Sequence, residues 1–285
     1  MAWERKHIQV NNQDTKGKPM RLFDCFTFFN ELELLEFRFN TLYEHVDNFV
    51  IAEANKTHTG KEKGFIFEEN KDRFSKFLDK VIYVKVEDLP SYREHMKVQG
   101  EVDWIPENFQ RNCLARGLIH QKLTAEDRIM VSDLDEIPNP KTMKENLRHT
   151  EWVTLRQKLY YYYINCEQKQ LWDGTVIASP ATFNVCQDLR NNRGTNAIEN
   201  GGWHFSFMGG ADRIQEKIQN IAESNLIKHK VLGVKDIEKK MKTQTDLFDR
   251  DDDFAQKRIV DIDDTFPEGT LSFVKKYPQF MFSED

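Results

Sequence analysis

Long hydrophobic runs are absent from this sequence. No stretch approaches the roughly 18 apolar residues that a membrane-spanning helix needs, and residues 1–19 are polar, so we expect no membrane span and a cytoplasmic location. An excess of basic residues is also missing, because 41 Lys and Arg stand against 47 Asp and Glu. Nucleic acid is therefore not an expected partner.

Cysteine is sparse as well. Cys25, Cys113, Cys166 and Cys186 are far apart and form no C-x-x-C pair, which argues against a zinc site or a redox pair. We expect four reduced thiols. The sequence is 39% hydrophobic and 31% charged, a balance that excludes a disordered chain, a collagen and a simple coiled coil.

Apolar segments alternate with helical patterns in the first half of the chain. Strands are predicted at 21–29, 48–54, 80–86 and 128–138, with helices between them. This rhythm predicts an α/β fold with a Rossmann-like, mostly parallel sheet flanked by helices. The second half contains further strands, for which we expect an antiparallel extension. Ligands of such sheets bind at the carboxyl ends of the strands.

Acidic residues follow the fourth predicted strand. Asp133 and Asp135 form a D-x-D pair, and Glu136 comes directly after them. Carboxylates at a strand end commonly hold a hard divalent cation, here Mn²⁺ or Mg²⁺, which in turn holds a diphosphate. A solvated acidic turn is the alternative interpretation.

Glycine pairs flank a histidine further along the chain. His204 follows Gly201-Gly202, and Gly209-Gly210 precedes a predicted helix. We expect His204 to be a further metal ligand, although a core histidine bonded to backbone is the common role of such a residue. The free N–H groups at Gly209 and Gly210 are suited to a phosphate.

Two more groups of residues are candidates for ligand contacts. Arg111 and Asn112 lie near the start of a predicted helix, where an arginine can pair with a carboxylate or a phosphate. Solvated arginines on an amphipathic helix are the alternative, and for Arg116 this alternative is equally good. Tyr160–Tyr163 with Trp172 could stack against a sugar. Strand alternation buries half of such a run, so core packing is expected for at least two of the tyrosines.

Five segments carry a resemblance to a known family. They are FDCFTFFNELELLEFR, FVIAEANKTHTG, ENFQRNCLARGL, DRIMVSDLDEIP and GGWHFSF. In this order they resemble glycosyltransferase family 17. The resemblance implies a GT-A fold, a nucleotide-sugar donor such as UDP-GlcNAc, a glycan acceptor, a Mn²⁺ or Mg²⁺ ion and inversion at the anomeric carbon. It also implies Asp133 and Asp135 as the D-x-D pair and His204 as the later metal ligand.

The resemblance suggests one domain over 1–285. Residues 1–19 are expected to be a flexible lead-in, 20–138 the half that binds the nucleotide sugar and 139–230 the acceptor side. Residues 231–285 are expected to form a charged surface helix and an extended tail.

A transfer of this kind needs a carboxylate that takes the proton of the acceptor hydroxyl. We favour Glu199, because it lies just before the Gly201-Gly202 turn, with Asp173 and Asp212 as alternatives. Glu53 ends the second strand and is expected to face the nucleoside, unless it caps its own loop.

Two rival functions remain open from the sequence. DLDE resembles the motif of phosphatases and phosphotransferases with an aspartyl nucleophile, although that motif normally follows the first strand. A carbohydrate-binding protein without catalysis would also use the aromatic residues.

Overall fold

The structure of the protein is a computed structural model, and its description begins at residue 19. The described residues are 19–91, 104–149, 151–182, 184–222, 233–250 and 257–283. The predicted flexible lead-in therefore lies outside the described residues, except for Pro19. None of the helices in the described part of the chain combines the length and the apolarity that a membrane crossing requires.

Strands and helices alternate through the first half, as predicted. The strands are β1 (Leu22–Phe28), β2 (Asn48–Ala54), β3 (Val81–Val86), β4 (Arg128–Asp133), β5 (Glu136–Pro138), β6 (Val153–Tyr161), β7 (Cys166–Ala178), β8 (Ala197–Ser206) and β9 (Lys257–Ile259). The α-helices are α1 (Leu32–Leu42), α2 (Ile66–Glu69), α3 (Ile105–Asn112), α4 (Leu114–Leu118), α5 (Pro140–Glu145), α6 (Cys186–Asn191), α7 (Ala211–Asn220), α8 (Val234–Thr243) and α9 (Thr270–Lys276).

One curved sheet contains the strands, in the order β3-β2-β1-β4-β7-β6-β8-β5, with β9 beside β7. β3, β2, β1 and β4 are parallel, which confirms the predicted Rossmann-like half. The other half is mixed, because β7 runs antiparallel to β4 and β6 whereas β6 and β8 are parallel. The antiparallel extension that we expected is therefore correct only for part of that half.

Side chains of the central strands alternate between two apolar layers. On β1, Phe23 and Cys25 pack with helices α4 and α6, whereas Phe26 and Phe28 pack with α1 on the opposite face. The period of two along a strand produces this division, and it makes the parallel half a sheet between two helical layers.

The charged C-terminal segment is more than a surface tail. Phe266, Phe273 and Phe280 are buried in the core beside α1, and the ring of Phe273 stacks on Phe37 with 4.5 Å between centroids. The expectation of a surface helix and extended end is wrong for this part, because three widely spaced aromatic residues anchor a sequence that is otherwise rich in charge.

A buried arginine connects α1 to the end of β4. Arg38 is fully buried and donates to both carboxylate oxygens of Asp24 on β1, at 2.8 and 2.5 Å. It also donates to Ser132 Oγ at 2.7 Å and to the carbonyl oxygens of Asp133, Leu134 and Glu136 at 2.8–3.0 Å. One guanidinium group thereby fixes the chain where the predicted D-x-D pair lies.

We predict that Arg38→Ala destabilises the protein strongly. Loss of the arginine leaves the Asp24 carboxylate buried without its counter-charge, which typically costs about 3–5 kcal/mol. The matched control is Arg116→Ala, which removes an exposed ion pair with Asp88 and should cost about 0–1 kcal/mol. Urea denaturation of both variants measures the difference, and equal losses of unfolding free energy would contradict this account of Arg38.

The four cysteines are free, as predicted, and all four are buried. Burial raises the pKa of Cys113 and of Cys186 to about 12 and that of Cys166 to about 11, and it also raises the pKa of Cys25. Since the thiolate is the reactive form, native thiols should react very slowly at pH 8. We predict that a thiol reagent titrates none of them quickly in the native protein and all of them in denaturant. A rapidly reacting native thiol would show that one of these cysteines is accessible.

Candidate functional site

A cavity lies at the carboxyl ends of β1 and β4. These neighbouring parallel strands pair Thr27 with Asp133, and the connections after them leave in opposite directions along the sheet. The cavity has a volume of about 230 Å³ and includes Thr27, Asp133 and Asp135 in its walls. This is the position where open α/β sheets bind ligands.

The D-x-D turn connects β4 to the short strand β5. Carbonyl groups of the turn accept from Arg38 below it, as described above. β5 then pairs antiparallel with β8, in a register that sets Glu136 opposite His204. Gly202 permits this pairing: its φ is +137°, and a Cβ there would meet the carbonyl oxygen of Ile137 at 2.2 Å. The glycine at position 202 therefore serves a close approach between β8 and the neighbouring strand β5.

Asp133 lies between two arginines. Its carboxylate accepts from Arg111 at 3.0 Å and from Arg190 at 2.6 Å. Burial opposes ionisation, but the charges of Arg190 and Arg111 outweigh it and hold the pKa of Asp133 well below its usual range. Asp133 is therefore a carboxylate whose charge is already balanced by the protein.

Asp135 has different partners. Its Oδ2 accepts from Lys217 Nζ at 2.9 Å, and its Oδ1 lies 3.5 Å from Nε2 of His204. Burial opposes ionisation of Asp135, yet Lys217 and His204 together keep its pKa below the usual range. Burial would lower the pKa of Lys217, but Asp135 and Glu31 raise it, so the ammonium group stays charged.

The donor atoms of Asp135 and His204 fit two adjacent ligands of one ion. Neighbouring ligands of an octahedral ion with bonds of about 2.1 Å are about 3 Å apart, close to the 3.5 Å between Oδ1 and Nε2. Within the described part of the chain, no group of three or more His, Cys, Asp or Glu side chains is arranged to hold a metal. Mg²⁺ commonly uses one or two carboxylates together with substrate phosphates. The two residues therefore fit an ion that a diphosphate completes.

Glu136 is part of the wall behind this pair. It is fully buried and accepts from both terminal nitrogens of Arg190, at 2.8 and 2.5 Å, and from the indole N–H of Trp172 at 2.6 Å. The ring of Trp172 lies 4.7 Å from that of His204. Glu136 thus orients the two side chains next to the D-x-D pair and has no free oxygen for a ligand.

The carboxylate of Glu53 accepts hydrogen bonds from the loop and helix that follow β2 and from β3. It accepts from Lys63 Nζ, from the backbone N–H groups of Ile66 and Phe67 and from the hydroxyl of Tyr83, at 2.6–3.0 Å. These bonds cap α2 and close the loop after β2. The arrangement favours the loop-capping alternative over the nucleoside contact.

The predicted phosphate contacts are not all near the cavity. Arg111 lies in its wall, whereas Asn112 accepts from the backbone N–H of Gln187 at 2.9 Å and so connects α3 to α6. Gly209 and Gly210 adopt φ of +95° and +94° before α7. At about 1.5 Å per helical residue, Gly210 is about 10 Å from Lys217, and it is the other end of α7 that faces the cavity.

The three carboxylates proposed as catalytic base lie away from the cavity walls. Glu199 lies on β8 just before the positive-φ residues Asn200 and Gly202, where the pairing with β6 is irregular, and it is not among the residues that line the cavity. Both Glu199 and Asp173 pair with Arg156, at 2.9 and 2.7 Å, and Asp212 is exposed in the first turn of α7. A position just before a glycine pair in sequence therefore did not bring Glu199 into the cavity wall with His204.

The tyrosine run is mainly core. Tyr160, Tyr161 and Tyr162 are at most 2% exposed, which confirms the packing that strand alternation predicted. Trp172, by contrast, is half-buried beside the site, at 4.7 Å from the His204 ring.

Sequence reasoning missed four residues of the site: Arg38, Glu107, Arg190 and Lys217. Glu107 accepts from Arg111 at 2.8 Å and lies in the cavity wall. It sits in the ENFQRN segment, four residues before Arg111, where the i, i+4 spacing was a usable signal. Arg190 and Lys217 are 57 and 82 residues from the aspartates they contact, and nothing in their local sequence marks them.

Comparisons with known proteins identify the family to which the chain is similar. Residues 4–264 match the family described as Glycosyltransferase family 17. Over 142 residues the chain is 29% identical to the beta-1,4-mannosyl-glycoprotein 4-beta-N-acetylglucosaminyltransferases of Rattus norvegicus and Homo sapiens, and 28% to that of Mus musculus. Each match covers 46% of this chain and 25% of the relative, so it spans about a quarter of the relatives' length.

A solved structure also resembles part of the chain. The inositol-1-phosphate CTP transferase from T. maritima aligns with a TM-score of 0.34 and 11% identity, covering 64% of this chain and 78% of that one. A likeness this slight says nothing about the function.

Proposed function

Because this chain belongs to glycosyltransferase family 17, we propose that it transfers a sugar from a nucleotide-sugar donor to a hydroxyl group of a glycan. The observation that carries the proposal is the cavity at the ends of β1 and β4, where Asp135, His204 and Lys217 converge. Such a site combines ligands for a divalent ion with a fixed cation, and both suit a diphosphate leaving group. We also propose that the α/β sheet and its helices form a GT-A fold.

The donor is proposed to lie across this cavity. Its diphosphate would contact Lys217 and face Asp135. Its nucleoside would extend toward Phe29 and His58, which line the same cavity. The Phe29 ring could stack on the base, and the His58 imidazole could form a hydrogen bond with it. The names of the relatives favour GlcNAc as the sugar, and we propose UDP-GlcNAc as the donor.

We propose Mn²⁺ or Mg²⁺ as the cofactor, held by Asp135 and His204. The ion, when bound, acts as a Lewis acid on the departing diphosphate. Asp133 is already paired with Arg111 and Arg190, so its role is to fix those arginines and to accept from the ribose or from metal-bound water. Lys217 supplies a second positive charge next to the leaving group.

A direct displacement with inversion needs a base on the acceptor side. Glu107 is the carboxylate that the geometry favours, because it lies in the cavity wall beside Arg111 and Asp133. Its other oxygen is 3.9 Å from Nδ1 of His58, so its position is restrained from two sides. Glu199 remains the alternative from the sequence, although it pairs with Arg156 at a distance from the cavity.

A non-catalytic carbohydrate-binding protein would have no use for a nucleotide, and UDP binding separates it from a transferase. The family match and the position of Asp133 on the fourth strand both speak against an aspartyl phosphatase.

We predict that Asp135→Asn weakens Mn²⁺-dependent binding of UDP by about tenfold or more, because one of two protein ligands loses its charge. Isothermal titration calorimetry with UDP and Mn²⁺ measures the affinity. The matched control is Asp173→Asn, which alters a carboxylate paired with Arg156 outside the cavity and should bind UDP normally. If both variants bind UDP like the parent, the assignment of Asp135 to the metal site is wrong.

We predict that Glu107→Gln lowers turnover by about 10²–10⁴-fold, the usual effect of losing a general base, and leaves UDP affinity unchanged. Release of UDP from UDP-GlcNAc, with a mannosyl oligosaccharide as acceptor, measures turnover. Glu199→Gln is the comparison and should retain parental turnover. The reverse result would assign the base to Glu199.

A further inference from the structure

A second cavity adjoins the proposed donor cavity. Its volume is about 510 Å³, and it shares Glu107, Arg111 and Asp133 with the first cavity. The rest of its wall includes Trp104, Asn108, Trp172, Gln187, Asn191 and Arg193. We call this second cavity the tryptophan trough.

We infer that the tryptophan trough binds the acceptor glycan, an inference that rests on the proposed function. A transfer requires the acceptor hydroxyl to come within about 3–3.5 Å of the reacting carbon of the donor. Two cavities that share Glu107, Arg111 and Asp133 in their walls would place donor and acceptor next to each other. The shared carboxylate of Glu107 then lies where the acceptor hydroxyl loses its proton.

The chemistry of the wall suits a sugar chain. Trp104 is 42% exposed and lines the trough. Its indole offers a flat apolar face to the C–H side of a pyranose ring, and the electron-rich face attracts those partially positive hydrogens. Asn108, Gln187 and Asn191 bring amide groups that both donate to and accept from hydroxyl groups. A flat ring with polar groups around it matches a glycan better than it matches a second diphosphate.

Trp172 and Arg193 form the far side of the trough. Glu136 fixes the Trp172 indole through its N–H, and the guanidinium of Arg193 lies 5.0 Å from the centre of the indole ring. Burial and the neighbouring charge of Arg190 lower the pKa of Arg193. In the described part of the chain, Arg193 has no ion pair with a carboxylate, so its N–H groups can donate to glycan oxygens.

A larger groove elsewhere suits the acceptor less well. Its volume is about 940 Å³, and Trp203 and Gly202 lie in its wall. Trp203 precedes His204 on β8, and successive side chains of a strand point to opposite faces. A glycan in that groove would be across the sheet from Asp135.

The test is an array of immobilised mannosyl, N-acetylglucosaminyl, galactosyl and uronate-containing oligosaccharides, probed with the full chain in the presence of Mn²⁺ and UDP. Trp104→Ala and Arg193→Ala should each reduce binding of the parent's preferred glycan by about tenfold, as loss of a central aromatic or arginine contact does. The control is Leu171→Ala, an exposed apolar residue beside Trp172 that lies outside the trough; it should bind like the parent. A thermal melt establishes that each variant is folded.

UDP affinity, measured in parallel, separates the two proposals. If UDP binds and both trough variants keep parental glycan binding, or the parent binds no glycan, the trough assignment is wrong and the donor site stands. If UDP does not bind but glycan binding depends on Trp104 and Arg193, the trough stands and the transferase proposal fails.

Discussion

The ion pair between Arg38 and Asp24 is the interaction on which the site depends. Both side chains are fully buried, and such a pair is retained only when each hydrogen-bonding group has a partner. Arg38 meets this requirement by donating to three carbonyl groups and a hydroxyl at the end of β4. The cost of burying the charge is thus offset by bonds that give the D-x-D turn one conformation, with Asp133 and Asp135 directed to different partners.

Charge balance is the second constraint. Arg111 and Arg190 balance the negative charge of Asp133, and Arg190 also pairs with Glu136. Lys217 forms an ion pair with one carboxylate oxygen of Asp135. The diphosphate of the proposed donor would therefore meet carboxylates that are already ionised and oriented. Preorganised charge of this kind needs little rearrangement when the leaving group departs.

Local pattern was enough to predict the parallel half of the fold. The bounds of β2 were predicted to the residue and those of β1 to within one, because a short apolar run between polar turns has few other interpretations. The rule that ligands bind at strand ends drew attention to Asp135, the glycine pairs and the resemblance drew attention to His204, and both residues line one cavity. The order of the motifs predicted the family. These inferences depend on period and order, which a sequence records.

Partners that come from distant segments were not predictable in this way. Glu53 looked like a ligand contact because it ends a strand. The N–H groups that donate hydrogen bonds to its carboxylate follow a loop, and the sequence does not specify the path of that loop. Glu199 looked close to His204, but its carboxylate pairs with Arg156 and is not part of the cavity wall. Lys217 and Arg190 lie on helices that reach the site only through tertiary packing.

The most direct test of this account is a crystal structure of the protein with Mn²⁺ and an unreactive analogue of UDP-GlcNAc. The account predicts the diphosphate beside Asp135, His204 and Lys217, with the sugar at the wall that carries Glu107 and Asp133. A nucleotide bound instead at Gly209 and Gly210, or in the groove beside Trp203, would contradict it.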